Sequence, residues 1–161
     1  MNELKKQLIN YLSEDSRYTY KQLAMMTGAT SEQVETAIKE LESEKVILKY
    51  STVVNTDKYE SGSVDALIQV SVKPQKLKGF DALAEELCAF EEVQSLYLIS
   101  GGFDLCVIVK AKDLASVARF VSEKLSGIDG VISVSSHFIL KKYKIEGQAT
   151  TSPSSDRQIV L

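Results

Sequence analysis

The side chains of this sequence that could do covalent or metal chemistry are few and scattered. His137 is the only histidine, Cys88 and Cys106 form no CxxC pair, and no cluster of Cys, His and carboxylates has metal-ligand spacing. No phosphate-binding glycine loop or nucleophile elbow is present either. Enzymatic turnover, a metal and a cofactor are therefore not expected, and both thiols read as buried and reduced. Groups suited to hydrogen bonding and charge pairing concentrate instead between Arg17 and Lys49. Ser31, Gln33, Thr36 and Lys39 carry donors and acceptors of the kind that meet base edges, and Glu35 could accept from cytosine N4. Arg17, Lys21, Lys45 and Lys49 are cations suited to phosphate oxygens, with Tyr18, Tyr20 and Tyr50 as neutral donors.

Apolar spacing says which helices and strands carry these groups. Leu4, Leu8, Ile9 and Leu12 form one helical stripe, and Leu23, Ala24 and Met26 a second that stops at Gly28, a residue suited to a sharp turn. Thr30 or Ser31 can cap a third helix, in which Val34, Ala37, Ile38 and Leu41 repeat at i, i+3, i+4, i+7. Tyr20 to Ile47 thus reads as a helix-turn-helix with its third helix as reader. The β-branched stretch Val46 to Val54 predicts a wing hairpin, so residues 1–50 are expected to form a winged helix-turn-helix domain.

Residues 51–63 read as an extended linker, and residues 64–146 as a second domain. Val64 to Lys73 alternates, with Ala66, Ile68, Val70 and Val72 on one face, and Pro74 ends it. A helix on Phe80, Leu83, Ala84 and Leu87 precedes strands at Val93 to Ser100 and Phe103 to Ala111, joined at Gly101-Gly102. A helix on Leu114, Val117, Ala118, Val121 and Leu125 and a strand at Val131 to Lys144 complete the order. A weak repeat, Glu91-Glu92-Val93 against Asp129-Gly130-Val131, supports two βαβ halves. The expected fold class is α+β, with a ferredoxin-like βαββαβ sandwich after the winged domain. Leu67, Leu96, Leu98, Val107, Val109, Phe138 and Leu140 look too many for a sheet with one helical layer, which predicts a dimer formed on the open sheet face. Residues 147–161 read as a flexible tail whose apolar end, Ile159 to Leu161, could dock on a partner.

The chain has 161 residues, 44% hydrophobic and 25% charged, enough for a real core in one or two domains. No apolar run approaches the roughly 20 residues of a membrane span, and no signal-peptide layout is visible, so a cytoplasmic protein is expected. The formal net charge of −3 offers no bulk attraction to nucleic acid. Within Ser31 to Glu44, Lys39 is the single cation against Glu32, Glu35, Glu40, Glu42 and Glu44. DNA carries one negative charge per about 1.7 Å of axis, so such a helix is repelled unless cations elsewhere compensate.

Together these features resemble the Lrp/AsnC, or feast/famine, family of transcriptional regulators over about Leu4 to Lys144. The markers are Leu12-Ser13-Glu14-Asp15-Ser16-Arg17, Gln22-Leu23-Ala24 and Val46-Ile47 in the first half. In the second they are Gly101-Gly102-Phe103-Asp104-Leu105 and Gly130-Val131. The resemblance implies a homodimer through the second domain, or an octamer of such dimers, with an amino-acid effector between dimers. It assigns effector binding to Gly101, Gly102, Phe103, Asp104 and Ser136, with Asp104 accepting from an α-ammonium group. Val134 stands where the family often has threonine. The family's reader usually carries arginines where this chain has Glu35, Thr36 and Ala37. Two functions of different class follow: an effector-responsive regulator that binds double-stranded DNA through several weak domains at once, or a small-molecule sensor or partner subunit that has lost direct DNA binding.

Overall fold

The computed structural model describes residues 1–58, 62–73 and 79–151, which fall into two compact units divided after Val53. Pro74, Ser61 and residues 152–161, including the apolar end, lie outside the described residues.

The first unit is three helices: α1 (Glu3–Glu14), α2 (Tyr20–Thr27) and α3 (Ser31–Ser43). Each starts where a side chain can satisfy the free amides of a first turn. Asn2 caps α1, while Thr19 with Gln22 and Thr30 with Gln33 form reciprocal capping boxes on α2 and α3. Gly28 ends α2 in the left-handed region at φ 71°, which turns the chain directly into α3. Leu8, Leu23, Ala24, Val34, Ala37 and Ile38 form the shared core, with Leu4, Tyr11, Leu12 and Tyr18 at its margin.

The expected wing is not formed: residues 44–55 contain no strand. After α3 the amides of Val46 and Ile47 both donate to the Leu41 carbonyl, at 2.9 and 3.1 Å, with Lys45 left-handed at φ 55°. The first residues of the would-be hairpin are thus consumed in closing the helix. Val46 to Val54 also lacks any Gly, Asn, Asp or Pro that could reverse the chain within it.

The second unit follows the order β1 (Val64–Val72), α4 (Gly79–Cys88), β2 (Val93–Leu98), β3 (Leu105–Ala111), α5 (Leu114–Arg119), β4 (Val131–Phe138). The four strands form one antiparallel sheet in the order β2-β3-β1-β4, the βαββαβ arrangement read from the sequence. Ala66, Ile68, Val70 and Val72 pack with Leu105, Val107, Val109, Leu87, Val117, Phe120 and Leu125 in its core. Cys106 is buried as expected, but Cys88 is exposed, because the end of α4 turns it away from the side that buries Leu87. The last helix is not regular as its spacing predicted. It widens to a π turn over Phe120–Lys124 and tightens to a 3-10 turn at Leu125–Gly127. In a π turn residues five apart share a face, so both Phe120 and Leu125 reach the core, at 2% and 0% exposure.

The count of apolar strand residues also divides differently from the expectation. Leu96, Val107 and Val109 join the helix-side core, and Phe138 pairs with Ala66 on that side. The open face carries rows such as Ile108, Leu67 and His137, then Tyr97, Cys106, Gln69 and Ser135. It is mixed rather than uniformly apolar.

The end of the chain is more structured than a tail from 147 would be. Lys144–Ile145 (β5) and Gln148–Ala149 (β6) pair as a hairpin around Gly147, which has φ 82°. Thr150 is held at both sides: its amide donates to Tyr143 O at 3.0 Å, and its carbonyl accepts from Asn55 Nδ2 at 2.7 Å. Asn55 and the 3-10 turn Thr56–Lys58 therefore belong to the second unit, inside the stretch expected to be free linker.

Candidate nucleic-acid interface and ligand loop

The acidic count of α3 acquires a geometry once the helix is packed. Val34, Ala37, Ile38 and Leu41 take the buried arc, which leaves Gln33, Glu40 and Glu44 on one flank, Ser31, Glu35, Lys39 and Glu42 on the other, and Glu32 and Thr36 on the exposed side between. Lys5, on α1 and only 9% exposed, places its ammonium 3.0 Å from Glu40 Oε2 and 3.0 Å from Glu44 Oε1. The hydrogen bonds that Lys5 donates to Glu40 and Glu44 raise its pKa. A helix whose last turn holds acids and no bases works against its own dipole, and Lys5 brings the missing cation there from a neighbouring helix.

The other flank is also paired. Lys39 Nζ donates to Glu35 Oε1 at 2.7 Å, and Tyr50 Oη donates to Glu42 Oε1 at 2.8 Å. Burial, then the Glu42 carboxylate, pushes the Tyr50 hydroxyl up to about 12. Of the acids that argued against DNA, two therefore face Lys5 and two are paired on the flank.

The remaining sequence-selected groups are distributed as follows. Lys21, Lys49, Ser31 and Thr36 are exposed or partly so, on α2, after α3, and on α3 itself. Arg17 is folded onto Asp15: its Nε and Nη2 donate at 2.9 and 2.8 Å, its amide at 2.9 Å, and the Asp15 carboxyl is held down to about 2. Gln33 spends its carbonyl oxygen on the Thr30 amide at 2.9 Å, so its amide nitrogen is the group left to face outward. Lys5 was not among the expected functional residues. Its signal was positional: a cation three residues before Leu8 and seven before Leu12, on the helix face those leucines bury.

In the second unit the loop between β2 and β3 is closed by Ile99 N donating to Asp104 O at 2.8 Å. Asp104 is fastened to β1 twice. Its amide donates to Val70 O at 3.1 Å, and its carboxylate Oδ2 accepts from Val72 N at 2.8 Å, where the β1–β4 register shifts. Gly101 and Gly102 do not take left-handed angles, so conformation does not require glycine at either. A methyl group at Gly102 would meet nothing within 4 Å, and at Gly101 only Ile99 Cγ2 at 3.7 Å. What the pair provides is bare, exposed backbone beside a carboxylate, with Phe103 half-buried next to it. Ser136 is exposed opposite Ile68, three residues along β4 from Ser133, which the register puts level with Asp104. That is about 10 Å of strand, so one chain does not bring Ser136 to the loop.

No three His, Cys, Asp or Glu side chains gather to hold a metal among the described residues, and no helix there is long and apolar enough to cross a membrane.

Comparison with known proteins assigns both units. Residues 1–47 match the family model of a winged helix-turn-helix DNA-binding domain, and residues 65–149 that of the Lrp/AsnC ligand binding domain. The chain is 41% identical over its whole length to the uncharacterized HTH-type transcriptional regulator YugG of Bacillus subtilis, covering 98% of that protein. It is 33% identical to the HTH-type transcriptional regulator LrpA of Pyrococcus abyssi, over 89% of this chain and 99% of the relative. Among solved structures, the leucine response regulatory protein LrpA of Mycobacterium tuberculosis superposes with a TM-score of 0.75 at 21% identity, over 94% of this chain and all of that one. A Neisseria meningitidis transcriptional regulator solved in complex with L-Met does so at 0.67 and 23% identity, over 95% and 96%. With a helix-turn-helix in its first unit and a βαββαβ ligand-binding domain in its second, both matched by family models, the chain belongs to the Lrp/AsnC family of transcriptional regulators.

Proposed function

We propose that this regulator works in the cytoplasm as a homo-oligomer that reads double-stranded DNA with α3 and responds to an amino acid held at Gly101 to Asp104. The observation that supports the DNA-reading part is the placement of Lys5, which engages Glu40 and Glu44 on the flank of α3 that faces α1. Ser31, Thr36 and the outer nitrogen of Gln33 then face base edges, with Arg17, Tyr20, Lys21, Lys39 and Lys49 on phosphates. Each reader is weak on its own, so affinity comes from several readers on one oligomer engaging spaced half-sites.

In the second unit, Asp104 presents its carboxylate beside bare backbone, the chemistry that suits an α-ammonium and α-carboxylate pair. Ser136 enters this site from another copy, because within one chain it stands too far along β4. An effector bound between copies then shifts assembly, and with it the spacing of the readers, if it binds the two assemblies unequally.

The test is fluorescence anisotropy of the intact oligomer on a duplex from its own upstream region and on an unrelated duplex, at two salt concentrations, with a panel of amino acids. Promoter-selective, salt-weakened binding that one amino acid alters is expected. Absence of binding at low salt would overturn the DNA-reading assignment.

A further inference from the structure

Lys39 is the only cation along α3, and it is held at 2.7 Å by Glu35 one turn earlier, with Glu35 44% and Lys39 67% exposed. The pair occupies the flank on which Tyr50 bonds to Glu42. The other carboxylates near that flank cannot replace Glu35 easily, since Glu42 is engaged by Tyr50 and Glu40 by Lys5.

We propose that Glu35 is a specificity-determining residue that acts by restraint: it keeps Lys39 off phosphates until a base donor takes the Glu35 carboxylate. This rests on α3 being the DNA reader. An unrestrained lysine on a reading helix grips any duplex, because phosphate contacts carry no sequence information. A carboxylate in the groove is repelled by most sequence contexts and satisfied where an exocyclic amine, such as cytosine N4, is in reach. At such a site Glu35 exchanges its partner and Lys39 becomes free to pair with the backbone. At any other site both the repulsion and the restraint persist. Discrimination is therefore obtained by penalising wrong sites rather than by strengthening the right one.

The experiment compares wild type, Glu35→Gln and the double variant Glu35→Gln/Lys39→Gln, as intact oligomers, by anisotropy on the upstream duplex and an unrelated duplex between about 50 and 200 mM salt. All substitutions are on solvent-accessible positions, and circular dichroism checks that the fold is kept. Glu35→Gln should tighten the unrelated duplex and lower the ratio of specific to unspecific affinity. One added phosphate contact should make its binding fall about threefold more than wild type over that salt range. The double variant should lose both the gain and the added salt dependence. If wild type binds its upstream duplex selectively and Glu35→Gln changes neither quantity, the restraint is overturned while the reader stands. If the gain survives in the double variant, simple repulsion by Glu35 explains it and the restraint is again overturned. If none of the three proteins binds any duplex at the lowest salt, the DNA-reading assignment falls and this proposal with it.

Discussion

Asp104 has two jobs that one substitution would confuse. Its carboxylate accepts from the Val72 amide, and it is also the anion proposed for the effector's ammonium group. Asp104→Ala should therefore lose the effector response and, by leaving a backbone N–H without its partner, cost about 1–3 kcal/mol of stability in urea unfolding. Asp104→Asn keeps an oxygen for Val72 and removes only the charge, so stability should hold while effector affinity falls at least about tenfold. A full response in the asparagine variant would move the ammonium site elsewhere. Tyr50 gives a pH signature of the flank of α3. Its folded pKa of about 12 lies above the ordinary tyrosine value, so the neutral form is favoured by folding. The corresponding stability is complete below about pH 10 and is lost as pH rises toward 12. Ultraviolet titration should show a late tyrosine ionisation, and Tyr50→Phe should remove that step. A tyrosine spectrum that titrates in one step near the ordinary value would place Tyr50 outside the Glu42 contact.

Among the elements, the α2–α3 turn depends on Gly28. The site is open, with nothing within 4 Å of the point where an alanine methyl would sit, so the cost of Gly28→Ala is purely conformational. It should be about 1–2 kcal/mol by chemical denaturation. Gly28→Asn should cost less, since asparagine tolerates the left-handed region. Equal stability of the alanine variant and wild type would mean that the turn relaxes out of φ 71°. The capping boxes at Thr19 and Thr30 fix where α2 and α3 begin. A reader needs that accuracy because a shift of one residue rotates its outward face by about 100°.

For the whole molecule, the open sheet face is the surface on which a second copy would pack. Leu67 and Ile108 are its half-buried apolar centre, ringed by Gln69, Ser71, Ser133, Ser135 and His137. Leu67→Arg should give monomers by analytical ultracentrifugation with an unchanged circular dichroism spectrum. If avidity supplies the affinity, operator binding should weaken by about a hundredfold or more in that variant. A dimer that persists would locate the interface away from this face, for instance along the edge strand β4.

Short-range periodicity was enough to specify the two units, the three helices of the first and the strand and helix order of the second. Val34, Ala37, Ile38 and Leu41 must share a helix face, and Ala66, Ile68, Val70 and Val72 a strand face, whatever else the chain does. What depends on partners distant in sequence was settled by packing instead. Only the seating of α1 on α3 takes Glu40 and Glu44 to Lys5, so a charge count along α3 could not tell a repelled helix from a compensated one. Only the sheet register separates Leu96, Val107 and Val109 from Leu67 and Ile108, because alternation gives two faces without saying which one the helices cover. The β-branched run after Leu41 favoured a hairpin locally, yet its first two amides closed α3 and no turn residue followed to pair the rest. In the same way Asp104 was legible as a carboxylate beside a glycine turn. Its bond to Val72, 32 residues earlier, exists because the fold lays β3 against β1.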